Sequence, residues 1–351
     1  MVMAGCRTVD GDTVFLRCSE YEIESSISSR ISDVSYVILE QDSLHILARV
    51  NKLVIEDNGI YIGDYRTRKI FAYDTLGTLK GVLDRYGRGP GEYLEIREFA
   101  VDANHIYVLD NYLNKLLVYS REDMTFLYDL KVPFQFWDFE ILSDGGFLFA
   151  YAPMQGAASA DSGYRLIVTD SALNVRNRML EYETGTYDAL GFRNNLTSYG
   201  GRILYSSYEK DGYCLLDRKD GALLESVEIE FDKGIPKGCR SDLETVLEGK
   251  YTYLYEAPVM CQDLLLFQFA VDGSGRDYLL DSDIGEFMVN SIEDIRRMFG
   301  VVSSYDDYFI AYWGDSQVYE SVTSRGFPEA AGDAEKAILN DCPYLVFYHV
   351  E

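Results

Sequence analysis

The side chains best suited to ligand binding lie at matching places in two similar segments. Residues 60–74 read IYIGDYRTRKIFAYD and residues 106–120 read IYVLDNYLNKLLVYS, at an offset of 46 residues. Each segment predicts two strands joined by a turn, and the turns contain Tyr65, Arg66, Arg68, Asn111, Tyr112 and Asn114. Tyrosine offers an apolar ring with a polar tip and arginine offers paired N–H donors, so the turns could bind a saccharide or a peptide. In the alternative interpretation, the aspartates of these turns bond between neighbouring sheets and the arginines are only solvated.

The elements that hold these turns form a repeat. A period of roughly 40–50 residues made of short strands is typical of a β-propeller, whose blades each have four antiparallel strands. We name these strands a to d from the innermost outward. Alternation and turn residues predict the strands of blades 1 and 2 at 52–57, 60–64, 69–74, 78–84, 97–102, 105–110, 115–120 and 124–130. The turns with tyrosine and arginine are then the b–c turns of these blades.

The rest of the chain predicts four more blades and some short helices. The predicted c strands end at residues 74, 120, 170, 217 and 281, and the last step contains a helix at 240–250 with Ser241 as its N-cap. Further helices are predicted at 291–299 and 328–339. A strand at 35–40 should pair with the last blade and close the ring. The predicted fold class is all-β, a six-bladed β-propeller with short helical inserts over residues 34–351.

A glycine-rich segment, DRYGRGPGEY at residues 84–93, connects blade 1 to blade 2. It is not a phosphate loop, because a Walker loop needs GxxxxGK[ST] between a strand and a helix. Its glycines favour a tight crossover between blades, and Arg88 and Glu92 are the side chains that could also bind a ligand. Since d–a connections and b–c turns emerge on one side of a blade, Arg88 and Glu92 should share a face with the b–c turns. His105, at the a–b turn of blade 2, should lie on the opposite side.

The charge of the chain argues against several classes of partner. There are 58 acidic and 32 basic residues, for a net charge of −26. Nucleic acids and anionic lipid surfaces attract proteins through clustered lysine and arginine, so neither is predicted as a partner. The predicted partner is a small molecule, a glycan or a protein ligand, bound by a monomer. The three histidines, His45, His105 and His349, lie far apart, and no catalytic motif, cofactor or metal site is predicted.

The amino-terminal residues carry a possible lipidation signal. Residues 3–6 read Met-Ala-Gly-Cys, which resembles the end of a bacterial lipoprotein signal, where small residues precede a cysteine that becomes lipidated. Cys6 is therefore the predicted lipidation site, and the polar residues that follow predict a tether, so that residues 1–33 form a lipoprotein-like tether. Any contact with a membrane should be through this anchor alone, because no run of about 20 apolar residues is present.

Three segments together resemble a known family. DRYGRGPGEY, the early VILE segment at 37–40, and Asn340-Asp341-Cys342-Pro343 are similar to segments of six-bladed β-propeller proteins common in Bacteroidetes, which are related to NHL-repeat propellers. The resemblance implies an exported protein of the cell envelope, an outer-membrane lipoprotein that faces the periplasm or the cell surface. Members mostly lack an assigned activity, so the resemblance implies a fold and a location and little chemistry. The side chains of the predicted face and the lack of a catalytic motif favour a binding module over an enzyme.

An enzymatic alternative comes from other six-bladed propellers. Calcium-dependent hydrolases or lactonases of the gluconolactonase or paraoxonase type hold calcium with Glu, Asn and Asp. Oxygen ligands are abundant in this sequence, so calcium is a possible cofactor, although no motif matches these enzymes.

Overall fold

The computed structural model describes residues 7–10, 13–21, 23, 25–133, 136–151, 163–182, 192, 194–240, 242–289 and 300–351. The predicted lipidation site Cys6, the predicted N-cap Ser241 and the predicted helix at 291–299 lie outside these residues.

The described chain is built mainly of short strands. The first group is β1 (Arg7–Asp10), β2 (Thr13–Cys18), β3 (Ile31–Ile38), β4 (Lys52–Glu56), β5 (Gly59–Asp64), β6 (Lys69–Asp74), β7 (Leu79–Leu83), β8 (Glu98–Val101), β9 (His105–Asp110), β10 (Lys115–Ser120) and β11 (Phe126–Lys131). The second group is β12 (Phe136–Ile141), β13 (Phe147–Tyr151), β14 (Tyr164–Thr169), β15 (Val175–Glu181), β16 (Leu196–Tyr199), β17 (Arg202–Tyr205), β18 (Gly212–Asp217) and β19 (Leu223–Phe231). The third group is β20 (Tyr253–Leu254), β21 (Val259–Cys261), β22 (Leu264–Val271), β23 (Ser274–Asp281), β24 (Glu286–Val289), β25 (Val301–Tyr305), β26 (Tyr308–Trp313) and β27 (Tyr344–Val350).

The strands form six mainly antiparallel sheets. These sheets are the blades of a six-bladed β-propeller, as the sequence predicted. Blades 1 and 2 are β4–β7 and β8–β11, each hydrogen-bonded in chain order. Their predicted and observed strand bounds differ by a few residues at most. The agreement arises because the b and c strands of both blades are almost fully buried apolar runs between turn residues. His105 begins β9, directly after the a–b turn of blade 2, as predicted.

The chain divides into two compact units. The first unit comprises Ser28–Gln135 and Glu293–Glu351, and it contains blades 1, 2 and 6. Blade 6 is the sheet of β25, β26, β27 and β3, and its outermost strand comes from the early part of the chain. Ile38 is paired with Tyr344 in this sheet, which confirms the predicted pairing of the early strand with the last blade.

The second unit comprises Met1–Ile27 and Phe136–Ile292, and it contains blades 3, 4 and 5. Blade 4 has six strands, because β2 adds in parallel to β19 and β1 pairs with β2. Residues 7–10 and 13–18 of the predicted tether therefore belong to the sheet of blade 4 instead. The physical reason is the alternation of β2, which buries Val14, Leu16 and Cys18 in the core of this unit.

Three short α-helices interrupt the strands in the described residues: α1 (Leu243–Gly249), α2 (Ser316–Thr323) and α3 (Asp333–Leu339). The predicted helices at 240–250 and 328–339 correspond to α1 and α3. The N-cap of α1 is Asp242 instead of Ser241, because the Asp242 carboxylate accepts the backbone N–H of Thr245 at 3.2 Å. The sequence analysis missed α2, whose N-cap Asp315 accepts the N–H of Gln317.

Candidate functional site

The b–c turn of blade 1 is organised by a buried carboxylate. Asp64 is completely buried at the end of β5. One carboxylate oxygen accepts the backbone N–H groups of Arg66 and Thr67, both at 3.1 Å, and so shapes the turn. The other accepts the N–H groups of Ala48 and Arg49, at 2.9 and 3.3 Å, and so fixes the connection that enters blade 1. Asp64 therefore holds two segments together through backbone donors alone.

Asp110 organises the b–c turn of blade 2 in the same way. It is also completely buried, and one of its oxygens accepts the N–H of Leu113 within the turn at 2.9 Å. Its other oxygen accepts the N–H groups of Leu94 and Glu95, at 2.6 and 3.4 Å, from the connection between blades 1 and 2. Burial, followed by the charge of Asp110, raises the pKa of the Glu95 carboxyl. Asp64 and Asp110 thus bond their own turns to the connections that enter blades 1 and 2, which is the structural role that the alternative interpretation gave to these aspartates.

The connection between blades 1 and 2 joins the two b–c turns. Tyr93 is completely buried in it, and the backbone carbonyls of Arg68 and Leu83 lie 2.9 and 3.0 Å from its hydroxyl, which can donate to either of them. The guanidinium of Arg68 lies 4.5 Å from the centre of the Tyr86 ring, a cation–π contact. One segment therefore contacts the blade 1 turn through Tyr86 and Tyr93, and the blade 2 turn through Leu94.

The glycine-rich loop uses the predicted ligand residue Glu92 for its own support. The Glu92 carboxylate accepts the N–H of Gly89 at 2.7 Å. A Cβ at Gly87 would lie only 1.9 Å from that carboxylate, so any other residue at this position would displace the Glu92 side chain from the N–H of Gly89. The loop is closed further by the N–H of Gly87, which donates to the carbonyl of Tyr93. Arg88 is exposed in this loop, whose backbone is held by these hydrogen bonds. The loop agrees with the prediction that its glycines form a tight crossover between blades 1 and 2.

Tyr65 is also engaged inside the protein. Its hydroxyl donates to the carboxylate of Glu98 at 2.5 Å, and Glu98 forms an ion pair of 3.3 Å with Lys52. The Glu98 and Lys52 side chains are 1% and 9% exposed. Tyr65 therefore anchors its turn to the inner strands of blades 1 and 2, and its hydroxyl is already bonded.

The remaining predicted residues divide by exposure. Asn111 is half-buried, and its N–H donates to Glu95 at 3.2 Å. Arg68 and Asn114 occupy the same position of the repeat and both have left-handed backbones, with φ of 59° and 52°. The exposed side chains of the predicted face are Arg66, Arg68, Arg88, Tyr112 and Asn114.

Two residues of this surface were not predicted from the sequence. Arg49 is exposed and is held by Asp64, and Tyr86 is 58% exposed beneath Arg68. The 46-residue offset was a usable signal, because it pairs residues 48 and 49 with residues 94 and 95, the donors to Asp64 and Asp110. We define the arginine surface of the first unit as Arg49, Arg66, Arg68, Arg88, Tyr86 and Tyr112.

Within the described part of the chain, the guanidinium groups of the four arginines of this surface form no ion pair of 4.0 Å or less with a carboxylate, although Asp64 accepts the backbone N–H groups of Arg49 and Arg66. Arginines elsewhere commonly form such ion pairs, since Arg121 contacts Asp57, Arg176 contacts Asp144 and Arg240 contacts Asp211. In a chain with 58 acidic residues, four exposed guanidinium groups that form no ion pair among the described residues add positive charge to this surface.

A cleft of about 710 Å³ in the second unit differs from this surface in its charged residues, because acidic side chains line it. Its acidic lining residues are Glu181, Glu209, Asp211, Glu228 and Glu230. Arg240, which also lines it, is ion-paired with Asp211, and Lys210 contacts Glu228 at 2.7 Å. Burial raises the pKa of Asp211 to about 6, against the opposing effect of Arg240. Two of the three basic residues that line this cleft, Lys210 and Arg240, are thus paired with its own acids.

The described residues give no ligand set for a metal and no membrane span. No group of three or more His, Cys, Asp or Glu side chains among them is arranged to hold a metal ion. The described residues therefore offer no candidate site for the calcium-dependent alternative. None of the helices in the described ranges is long and apolar enough to cross a membrane.

Comparisons with known proteins agree with the fold. The model of a domain of unknown function, DUF4934, matches residues 15–341. A candidate exported protein from Bacteroides fragilis superposes with a TM-score of 0.78 at 16% identity, over 97% of this chain and 99% of its own. A DUF4221 member from Bacteroides vulgatus superposes with a TM-score of 0.51 at 10% identity, over 92% and 97%. No protein of curated function matches the chain. At these identities the structural likeness shows the fold alone.

Proposed function

The chain belongs to the DUF4934 family, and we propose that it is a binding module of the cell envelope that holds its ligand on the arginine surface. The observation that carries this proposal is the set of four exposed arginines whose guanidinium groups form no ion pair among the described residues of a strongly acidic chain. Charged groups left unpaired on a surface are available to a partner, and guanidinium groups bind oxyanions through two parallel hydrogen bonds.

The rigidity of the turns supports the same function. Asp64 and Asp110 fix the turns through backbone donors, and Glu92 braces the loop that ends in Arg88. Because the backbones are already ordered, binding needs to order only the arginine side chains. Preorganised surfaces lose less entropy on association, which favours affinity at a small interface.

An array experiment with the full chain tests this function. Glycan and peptide arrays are probed with the wild type and with the variant Arg66→Gln/Arg68→Gln/Arg88→Gln. The matched control is Arg202→Gln/Lys219→Gln/Arg276→Gln, which removes the same charge from the second unit. We expect at least one ligand that the wild type and the control bind and the arginine-surface variant does not. Hits that all three proteins share equally, or an array without hits, would refute the proposal.

The location in the envelope is a further part of the proposal. The Bacteroides fragilis structure, described as a candidate exported protein, supports export, and the Met-Ala-Gly-Cys segment supports lipidation of Cys6. Strand β1 begins at Arg7, so a lipid on Cys6 would hold the edge of blade 4 at the membrane without a long tether. Fractionation of the full-length product tests this, since Cys6→Ser should move the protein from the membrane to the soluble fraction. An unchanged distribution would refute lipidation.

A further inference from the structure

We infer, on the basis of the proposed function, that the ligand of the arginine surface is a polysaccharide whose sugars carry spaced carboxylate or sulfate groups. The first argument is the chemistry of the charged side chains. All four cations of this surface are arginines, and the planar guanidinium matches the geometry of planar oxyanions, which lysine does not. A ligand with anionic groups is therefore favoured over a neutral one.

The second argument is the distribution of the arginines. They come from three segments: the connection that contains Arg49, the turn that contains Arg66 and Arg68, and the loop that contains Arg88. Each is exposed, and none lines the cleft of the second unit or the pocket of about 920 Å³ that Arg121 lines in the first unit. A small anion is normally enclosed by convergent groups in a concave site. Exposed arginines that come from three separate segments instead fit an extended ligand with repeated charges.

The third argument is the exposed aromatic residues. Tyr86 and Tyr112 are 58% and 73% exposed, and Tyr86 is already oriented by the guanidinium of Arg68. Tyrosine rings give a flat apolar face with a polar edge, at a small cost in conformational entropy. Such faces suit sugar rings, which have apolar C–H faces and hydroxyl edges.

The fourth argument distinguishes a polysaccharide from other polyanions. The net charge of −26 repels ligands in proportion to their own charge density. A nucleic acid carries a phosphate on every nucleotide, and its binding needs extensive neutralisation by cations. A polysaccharide with one acidic group on each sugar or pair of sugars is repelled less, while a few arginines can still match its charges.

Binding of defined polymers to the full chain tests the inference. The probes are polygalacturonate for carboxylate, chondroitin sulfate for sulfate, dextran as the neutral polymer, and oligo-dT as the other polyanion. We expect an acidic polysaccharide to bind, and its affinity to fall about tenfold or more in Arg66→Gln/Arg68→Gln/Arg88→Gln. The triple variant with lysine at the same positions keeps the charge and should bind with intermediate affinity. Thermal unfolding of each variant confirms that it is folded.

The outcomes separate this inference from the proposed function. Dextran binding that depends on the three arginines would overturn the inference and leave the function standing, as would a peptide ligand found on the array. Tighter binding of oligo-dT than of both acidic polysaccharides would also overturn it. So would the absence of binding to all four polymers, in which case the array alone decides the function.

Discussion

Asp64 in the first unit and Asp211 in the second are both buried carboxylates in b–c turns, but their partners differ. Asp64 is satisfied by four backbone N–H groups. Asp211 accepts one backbone N–H, from Leu254 at 2.7 Å, and otherwise contacts the guanidinium of Arg240. Where the backbone satisfies the carboxylate, nearby arginines remain on the surface for a ligand. Where the carboxylate recruits an arginine, that arginine is fixed inside the fold.

The largest expected effect is the loss of Asp64. Asp64→Ala should lower the free energy of unfolding by about 3–5 kcal/mol, because buried N–H groups lose a charged acceptor. Urea unfolding followed by circular dichroism measures it. Asp84→Ala is the control, since Asp84 is exposed and forms only a surface ion pair with Lys69, which should cost about 1 kcal/mol or less. Equal losses in the two variants would contradict the role of Asp64.

Substituting one arginine from each unit tests whether the arginine of the second unit is structural and that of the first unit is not. Arg240→Ala should cost roughly 2–4 kcal/mol, because Asp211 would be left buried with one donor. Arg88→Ala should change stability by about 0.5 kcal/mol or less, since an exposed side chain at a loop tip supports no packing. Urea unfolding of both variants gives the values. A large loss in Arg88→Ala would show that this arginine is structural and would remove it from the proposed site.

A smaller effect is expected in the glycine-rich loop. Gly87→Ala should cost about 1–2 kcal/mol, because its Cβ would collide with the Glu92 carboxylate. In the background of Glu92→Ala the same substitution should cost much less, since the colliding group is absent. A double-mutant cycle by urea unfolding measures this coupling. Additive costs would mean that Glu92 does not brace the loop.

The smallest effect is a dependence of stability on pH, with opposite signs in the two units. The pKa of Asp211 is raised, so the folded state favours its protonated form, and this stabilisation is lost as pH rises from about 4 through about 6. The pKa of Asp74 is lowered by Lys80 and by backbone donors, so its contribution is present above pH 4 and is lost at lower pH.

Urea unfolding at several pH values checks both signs. As the pH rises from 4 to 6, the stability of the wild type relative to Asp211→Asn should decrease. As the pH is lowered below 4, the stability of the wild type relative to Asp74→Asn should decrease. A wild-type advantage over Asp211→Asn that grows with pH would show that Arg240 dominates the titration of Asp211.

The sequence predicts blades 1 and 2 well because their information is local. Each strand of Ile60–Asp74 and Ile106–Ser120 is an apolar run between turn residues, and the matched Asp64 and Asp110 mark both turns. Strand β2 was missed because its alternation is short and its parallel partner, β19, lies more than 200 residues away. The contact of Arg68 with Tyr86 and that of Asp211 with Arg240 depend on how separate segments pack, which no local pattern encodes. Exposure of the arginines likewise follows from the tertiary fold.

The long-range pairing of β3 with β27 has a consequence for biogenesis. The partner of Ile38 is Tyr344, so the outer strand of blade 6 is synthesised long before the strand that it must join. At ordinary rates of translation the delay is on the order of 15–60 s. During this time β3 presents an unpaired edge that can associate with another chain. If the protein is exported, a chaperone that keeps the nascent chain extended would protect this edge until Tyr344–Val350 emerges, and overexpression without it should yield aggregates joined through β3.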